Sequence, residues 1–170
     1  MTDFQPCLWA PWRMEYIAHL HPAVAEECFL CRAVAHPQDD ERNHVLWRGE
    51  RTIALLNLFP YSSGHALVAP AAHVGALEDL ADDVLHDLIC RTRDVKRVLE
   101  AALHAQGFNI GINLGRCAGA GLPDHVHIHI VPRWGGDTNF MAILGNAKVI
   151  PQSLQAVRRL FLEKAAELGF

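Results

Sequence analysis

The segment Asp124 to Trp134 reads DHVHIHIVPRW, with histidines at 125, 127 and 129 and with Val126, Ile128 and Ile130 between and beyond them. Successive side chains of an extended strand point to opposite faces, so this spacing gathers the imidazoles in one row and the aliphatics in another. The aliphatic row is suited to packing. The imidazole row is suited to nucleophilic attack, proton transfer or metal ligation, because a group with an unperturbed pKa near ~6.5 is largely neutral at pH 7 and offers a lone pair. A lone strand histidine is ordinarily structural, and this chain has 11 histidines to distribute. Three in register beside a glycine-rich stretch point instead to a site.

Other candidates lie elsewhere in the chain. In CFLC, Cys28 and Cys31 have the two-residue spacing that lets two thiolates share a metal, although a redox pair or two buried thiols would look the same. GRCAGAGLPD, with Gly115, Gly119 and Gly121, runs directly into the histidines. It reads either as a loop that aims backbone N–H groups at phosphate oxygens, with Arg116 adding charge, or as a connection whose glycines only serve bending. Asn57 in LLNLF and Asn113 in INLG are polar residues in apolar strands, so each is either ligand-facing or structurally hydrogen-bonded.

The elements that must position these residues follow from periodicity. RTIALLNLF (51–59) and HALVAP (65–70), joined by the turn YSSG, read as an antiparallel pair of strands. From Leu77 to Gln106, apolar residues recur three or four apart, which predicts a long amphipathic helix with Gly107 as its stop. FNIGINL (108–114) predicts a strand, as does the histidine row. A short strand around Lys148 to Ile150 and a closing helix from Pro151 to Leu168 complete an α+β arrangement with a mainly antiparallel sheet. Residues 1–45, rich in Trp, Pro, His and Cys, read as an irregular or partly helical arm, residues 46–134 as the core and 135–170 as a C-terminal extension, all within one domain.

With 170 residues and 51% hydrophobic content the chain can form a proper core. The net charge is −4 with basic and acidic residues interspersed, which leaves no footprint for nucleic acid. No apolar stretch approaches the ~20 residues of a membrane span, and the N-terminus has no export signal. Five cysteines, only two of them close neighbours, suit a reducing cytoplasm.

HVHIHIV matches the pattern of three histidines alternating with apolar residues, and on it the chain resembles the histidine triad family of nucleotide-binding hydrolases and transferases. ALLNLFPYSSGHALVAPAAHV resembles that family's strand–turn–strand segment, and coverage runs from about Cys28 to Trp134. The resemblance implies an α+β fold paired into a homodimer. It implies that His127 attacks the α-phosphorus of a nucleotide, its other nitrogen held as N–H by a main-chain carbonyl near the first histidine, and that His129 contacts the phosphate or the departing oxygen. It implies further that Asn57 grips the ribose hydroxyls and that Asn113 contacts the phosphate region, beside which Gly119 and Gly121 of the glycine loop are the candidates for backbone contacts to phosphate. His65 matches a recurring family histidine with a structural hydrogen-bonding role. Gly121 and Leu122 depart from many relatives, which carry Gln and Ser there.

Some triad proteins, and the related galactose-1-phosphate uridylyltransferases, join a CxxC pair to the histidine of a P-x-x-H segment and the first triad histidine. Carried over, this implies a structural zinc on Cys28, Cys31, His73 and His125. LWAPWRMEYI near the start, PRWGGDTNFM and KVIPQ resemble the bacterial branch similar to diadenosine tetraphosphate phosphorylases. That branch implies a nucleotide substrate and inorganic phosphate as co-substrate. Hydrolysis of dinucleoside polyphosphates or adenosine phosphoramidates is the alternative within enzymes; a nucleotide-binding regulatory module and a zinc-stabilised interaction domain are alternatives outside them. Trp9, Trp12 and Tyr16 read as an aromatic arm packed on the domain or on a neighbouring subunit.

Overall fold

The computed structural model of the protein describes residues 28–137 and 149–170. Trp9, Trp12, Tyr16 and the end of GGDTNF lie outside them. Five strands, β1 (Val45–Arg48), β2 (Thr52–Leu56), β3 (Ala66–Pro70), β4 (Gly107–Ile112) and β5 (Ile128–Arg133), form one antiparallel sheet in the order β1-β2-β3-β5-β4. Among the described residues three α-helices accompany it: α1 (Phe29–Ala35), α2 (Asp82–Leu103) and α3 (Leu154–Glu167).

The sheet is buried on both faces along β2 and β3, and alternation sorts their side chains. Ala54, Leu56, Ala66 and Val68 join Val126, Ile128 and Ile130 in a core completed by Leu88, Val95, Val98 and Leu99 of α2 and by Val157 and Phe161 of α3. Ile53, Leu55, Leu67 and Ala69 turn the other way and pack with Leu30 and Ala33 of α1. His129 pairs with Leu67 across the β3–β5 ladder, so the imidazoles lie on the α1 side, away from the two long helices.

The long helix is shorter than its periodicity predicts. Residues 77–79 make a separate 3-10 turn, and α2 begins at Asp82, where Asp82 and Asp83 favour a helix N-terminus through its dipole. It ends at Leu103, with His104 in the left-handed conformation at φ 51°, so Gly107 opens β4 instead of stopping the helix. β1, at the boundary between the predicted arm and the predicted core, is a further strand. Arg48 at its end donates to the carbonyls of Ala33 (2.6 Å) and Val34 (2.9 Å) at the end of α1, and also pairs with Asp40. These bonds satisfy orphan carbonyls and fix α1, with its cysteines, against the sheet edge. Val149 and Ile150 are not in a strand; α3 starts at Leu154, where the Ser153 hydroxyl accepts from Ala156 N–H at 3.2 Å.

Candidate functional site

Only His129 of the three histidines lies inside β5; His125 and His127 stand in the extended lead-in before its first ladder pair. The lead-in is held by a different segment: Val126 N–H donates to Val74 O at 2.7 Å. Gly75 permits this approach, since a Cβ there would sit 2.9 Å from the Pro123 carbonyl oxygen. The same contact carries His73 to His125, with their ring centroids 5.1 Å apart.

His127 is buried, and its Nδ1 lies 2.8 Å from the His125 carbonyl oxygen. A carbonyl only accepts, so the imidazole proton resides on Nδ1 and Nε2 carries a lone pair. Burial lowers the His127 pKa, against the pull of the His125 carbonyl.

His129 is held in the opposite tautomer. Tyr61 N–H donates to His65 Nδ1 (3.1 Å), which puts the His65 proton on Nε2, 3.0 Å from His129 Nδ1. His129 therefore accepts at Nδ1 and carries its own proton on Nε2. The Asn113 amide lies 3.5 Å from that nitrogen, and a donor there calls for the amide oxygen to face it. The His127 and His129 rings lie 4.9 Å apart, edge to face. Burial first, and then the proximity of His127, press the His129 pKa down to about 4. We expect its imidazole to stay neutral, with the proton on Nε2, at every pH above about 5, as read from ¹⁵N shifts in a histidine titration. Protonation near the ordinary ~6.5 would overturn both the burial and the relay.

His65 is fully buried and makes the structural bonds just described; its direct contact with His129 was not readable from the sequence, because it depends on β3–β5 register. Asn57 is half-buried, its Oδ1 accepting from Phe59 N–H at 2.9 Å and its Nδ2 3.4 Å from His65 Nδ1. It thus closes the turn after β2 and retains one lone pair and one N–H. In the glycine loop, Gly119 N–H donates to Arg116 O and Ala118 N–H to Gly115 O, while Gly119 and Gly121 are both exposed. The loop is a turn closed on itself, with Gly115 and Gly119 at φ 78° and 88°.

Cys28, Cys31, His73 and His125 converge, with one ligand atom of each within 4.8 Å of all the others. Cys28 Sγ lies 3.2 Å and Cys31 Sγ 3.5 Å from His125 Nδ1, and Cys31 Sγ lies 3.1 Å from His73 Nδ1. The edges of a zinc tetrahedron with bonds of ~2.0–2.3 Å are about 3.3–3.8 Å, so the donor set fits that ion. His125 Nε2 lies 2.9 Å from Pro70 O, the outer-shell bond that fixes a ligating imidazole.

The HIT domain family profile matches residues 38–136 of the chain. The chain is 43% identical over 159 residues to the AP-4-A phosphorylase of Mycobacterium tuberculosis, covering 90% of this chain and 80% of that one. It is 41% identical over 95 residues to the asymmetrical bis(5'-nucleosyl)-tetraphosphatase of Schizosaccharomyces pombe, over 56% and 52% of the two chains. The crystal structure of a zinc-bound histidine triad family protein from Mycobacterium smegmatis superposes with a TM-score of 0.69 at 26% identity, covering 84% of this chain and 96% of that one.

Proposed function

The chain belongs to the HIT domain family, and we propose that it cleaves diadenosine tetraphosphate or a close relative by phosphorolysis, through a nucleotidyl-His127 intermediate. The observation that carries this reading is the pair of opposite tautomers. His127 Nε2, with its lone pair, attacks the α-phosphorus; the new P–N bond forms as the P–O bond to the departing phosphate chain breaks. The positive charge arising on the imidazole is met by the His125 carbonyl that already holds Nδ1–H. The departing oxygen leaves as an anion and accepts from His129 Nε2–H, a neutral donor and not an acid, since its pKa lies near 4. An oxygen of inorganic phosphate then attacks the same phosphorus, the P–N bond breaks, and His127 is regenerated. ATP leaves in the first step and ADP in the second. Asn57, through its remaining valences, would hold the ribose, with Asn113, Gly119 and Gly121 around the phosphates.

Zinc on Cys28, Cys31, His73 and His125 would be structural: four protein ligands leave no position for substrate. Thiolate ligands suit a reducing cytoplasm. Among the described residues no helix is long and apolar enough to cross a membrane. β4 is an edge strand with Asn109, Ile110 and Gly111 exposed, and pairing it with the β4 of a second copy would satisfy that edge in a homodimer. Light scattering should then give twice the 18.9 kDa chain mass; a monomer at working concentration would remove the dimer.

The deciding experiment is incubation with diadenosine tetraphosphate, with and without inorganic phosphate, followed by product identification. ATP plus ADP, formed only with phosphate, is expected. ATP plus AMP would mean that water resolves the intermediate, the reaction suggested by the similarity to the S. pombe tetraphosphatase. A 2′,3′-dideoxy analogue run alongside should react more slowly if Asn57 holds the ribose.

A further inference from the structure

On the face of the sheet that bears the imidazoles, the ladders align Leu55, Leu67, His129 and Gly111 in one row across β2, β3, β5 and β4. The inner end of the row is roofed, because Leu55 and Leu67 pack with Leu30 and Ala33 of α1. Beside His129, His65 is bonded to its Nδ1 and the Tyr61 ring stacks on His65 at 4.6 Å, which walls the β3 side. The outer end is open. Gly111 is exposed, and a Cβ placed on it would meet nothing within 4 Å.

The backbone does not require glycine there. Gly111 stands in the unbroken β4–β5 ladder and outside the left-handed φ region, so other residues can take its conformation. Glycine in a strand costs stability, since it gains no packing and loses more chain entropy than other residues, and it recurs where a ligand comes close to the backbone. A Cβ at 111 would stand about 5 Å from that of His129 across the pair, in the space beside its imidazole. Asn109, the neighbouring residue on this face, leaves that space clear. Arg133 Nη1 donates to its Oδ1 at 2.7 Å, and Arg133 pairs across from Gly107, so the amide is drawn away from Gly111. His127 is only 7% exposed and its Nε2 has no partner among the described residues. That recessed nitrogen is free to receive a phosphorus, and what departs from the phosphorus has to pass out over the open end of the row.

We propose that Gly111 sets the leaving-group specificity of this site. Its missing side chain opens a lane across β4, beside His129, through which the phosphate chain and second nucleoside of a dinucleoside polyphosphate extend. The inference rests on the reading that the histidine row cleaves such substrates. A small leaving group needs no lane.

The test compares Gly111→Val with the wild type on two substrates that give the same adenylyl-His127: diadenosine tetraphosphate, which releases ATP, and adenosine 5′-phosphoramidate, whose N-protonated form releases ammonia. Gly111→Val should lose roughly tenfold or more in kcat/KM on the first and less than about twofold on the second, with Gly111→Ala between. Tm should stay or rise, because valine favours strands, and the mass by light scattering should not change. Affinities for diadenosine tetraphosphate and AMP, measured in a His127→Asn background without turnover, should show the same split. Equal loss on both ligands overturns the proposal, as does an unchanged rate and affinity for diadenosine tetraphosphate. A changed mass also overturns it, by assigning the glycine to a subunit contact. Where the wild type binds diadenosine tetraphosphate without cleaving it, the reading of the reaction falls and the binding split still decides on Gly111. Should Gly111→Val fail to fold, Gly111→Ala decides by the same split.

Discussion

His127→Ala should lose roughly 10⁴-fold or more in kcat while nucleotide affinity changes by less than about tenfold. The covalent route ends when the attacking nitrogen is removed, and what persists is binding and electrostatic assistance, which in other nucleophilic enzymes leaves only a small residual rate. On the proposed reading, ground-state affinity would come from ribose and phosphate contacts, which the substitution would leave in place. His127→Asn should behave alike, since its amide can keep a hydrogen bond near the His125 carbonyl but offers no nucleophilic lone pair. Acid quenching during turnover of substrate radiolabelled at the α-phosphate should leave label on wild-type protein and none on either variant. Retention of most of the activity by His127→Ala, or labelled variant protein, would sink the nucleophile assignment. Affinity falling in parallel with rate would show that His127 acts chiefly in binding.

Metal analysis should find about one zinc per chain, and Cys28→Ser should destabilise the protein sharply. The four ligands come from α1 and its N-cap, the segment after β3, and the lead-in to β5; Cys28 and His125 are 97 residues apart in sequence. A metal holding such distant segments contributes its binding free energy to folding, and structural zinc sites are worth ~10–16 kcal/mol in small peptides. Even a loss of ~3 kcal/mol from a damaged site would lower Tm by about 10 °C in a domain of this size. Activity should fall with stability even if the metal is purely structural, as the proposed four-ligand site would make it. The side chain of His125 lies in the candidate metal cluster, its Nε2 lies against Pro70 O, and its own carbonyl faces Nδ1 of His127. Slack at His125 therefore frees the nucleophile to change tautomer. Zinc absent from protein purified without chelators would end this reading, as would a Cys28→Ser variant with unchanged Tm.

Which parts of this were readable beforehand follows from how far apart in the chain the deciding atoms are. Alternation in DHVHIHIVPRW separated Val126, Ile128 and Ile130 from the imidazoles, and the three aliphatics are buried in the helix-side core. The apolar spacing of Leu88, Val95 and Leu99 marked the buried stripe of α2. These are local properties, set by the period of one element. β1 leaves no mark in the sequence because VLWR is only four residues long and shows no full alternation, and it exists as a strand by pairing with β2. The end of α2 is not legible in the sequence because a left-handed His104, not a glycine, closes it, and a residue's tolerance of that conformation leaves little mark in sequence.

For the site, the chain by itself determined the kinds of atoms available: three imidazoles in one row, a thiol pair and a flexible glycine loop, because residue type and strand period are written in the order of residues. Tertiary structure decided which nitrogen bears each proton. That choice depends on the Tyr61 amide reaching His65, on His65 reaching His129 across strands, and on the His125 carbonyl turning to His127. A tautomer is set by the partner at hydrogen-bonding distance, within about 3 Å, and a partner 64 residues away in sequence comes that close only when the sheet has chosen its register.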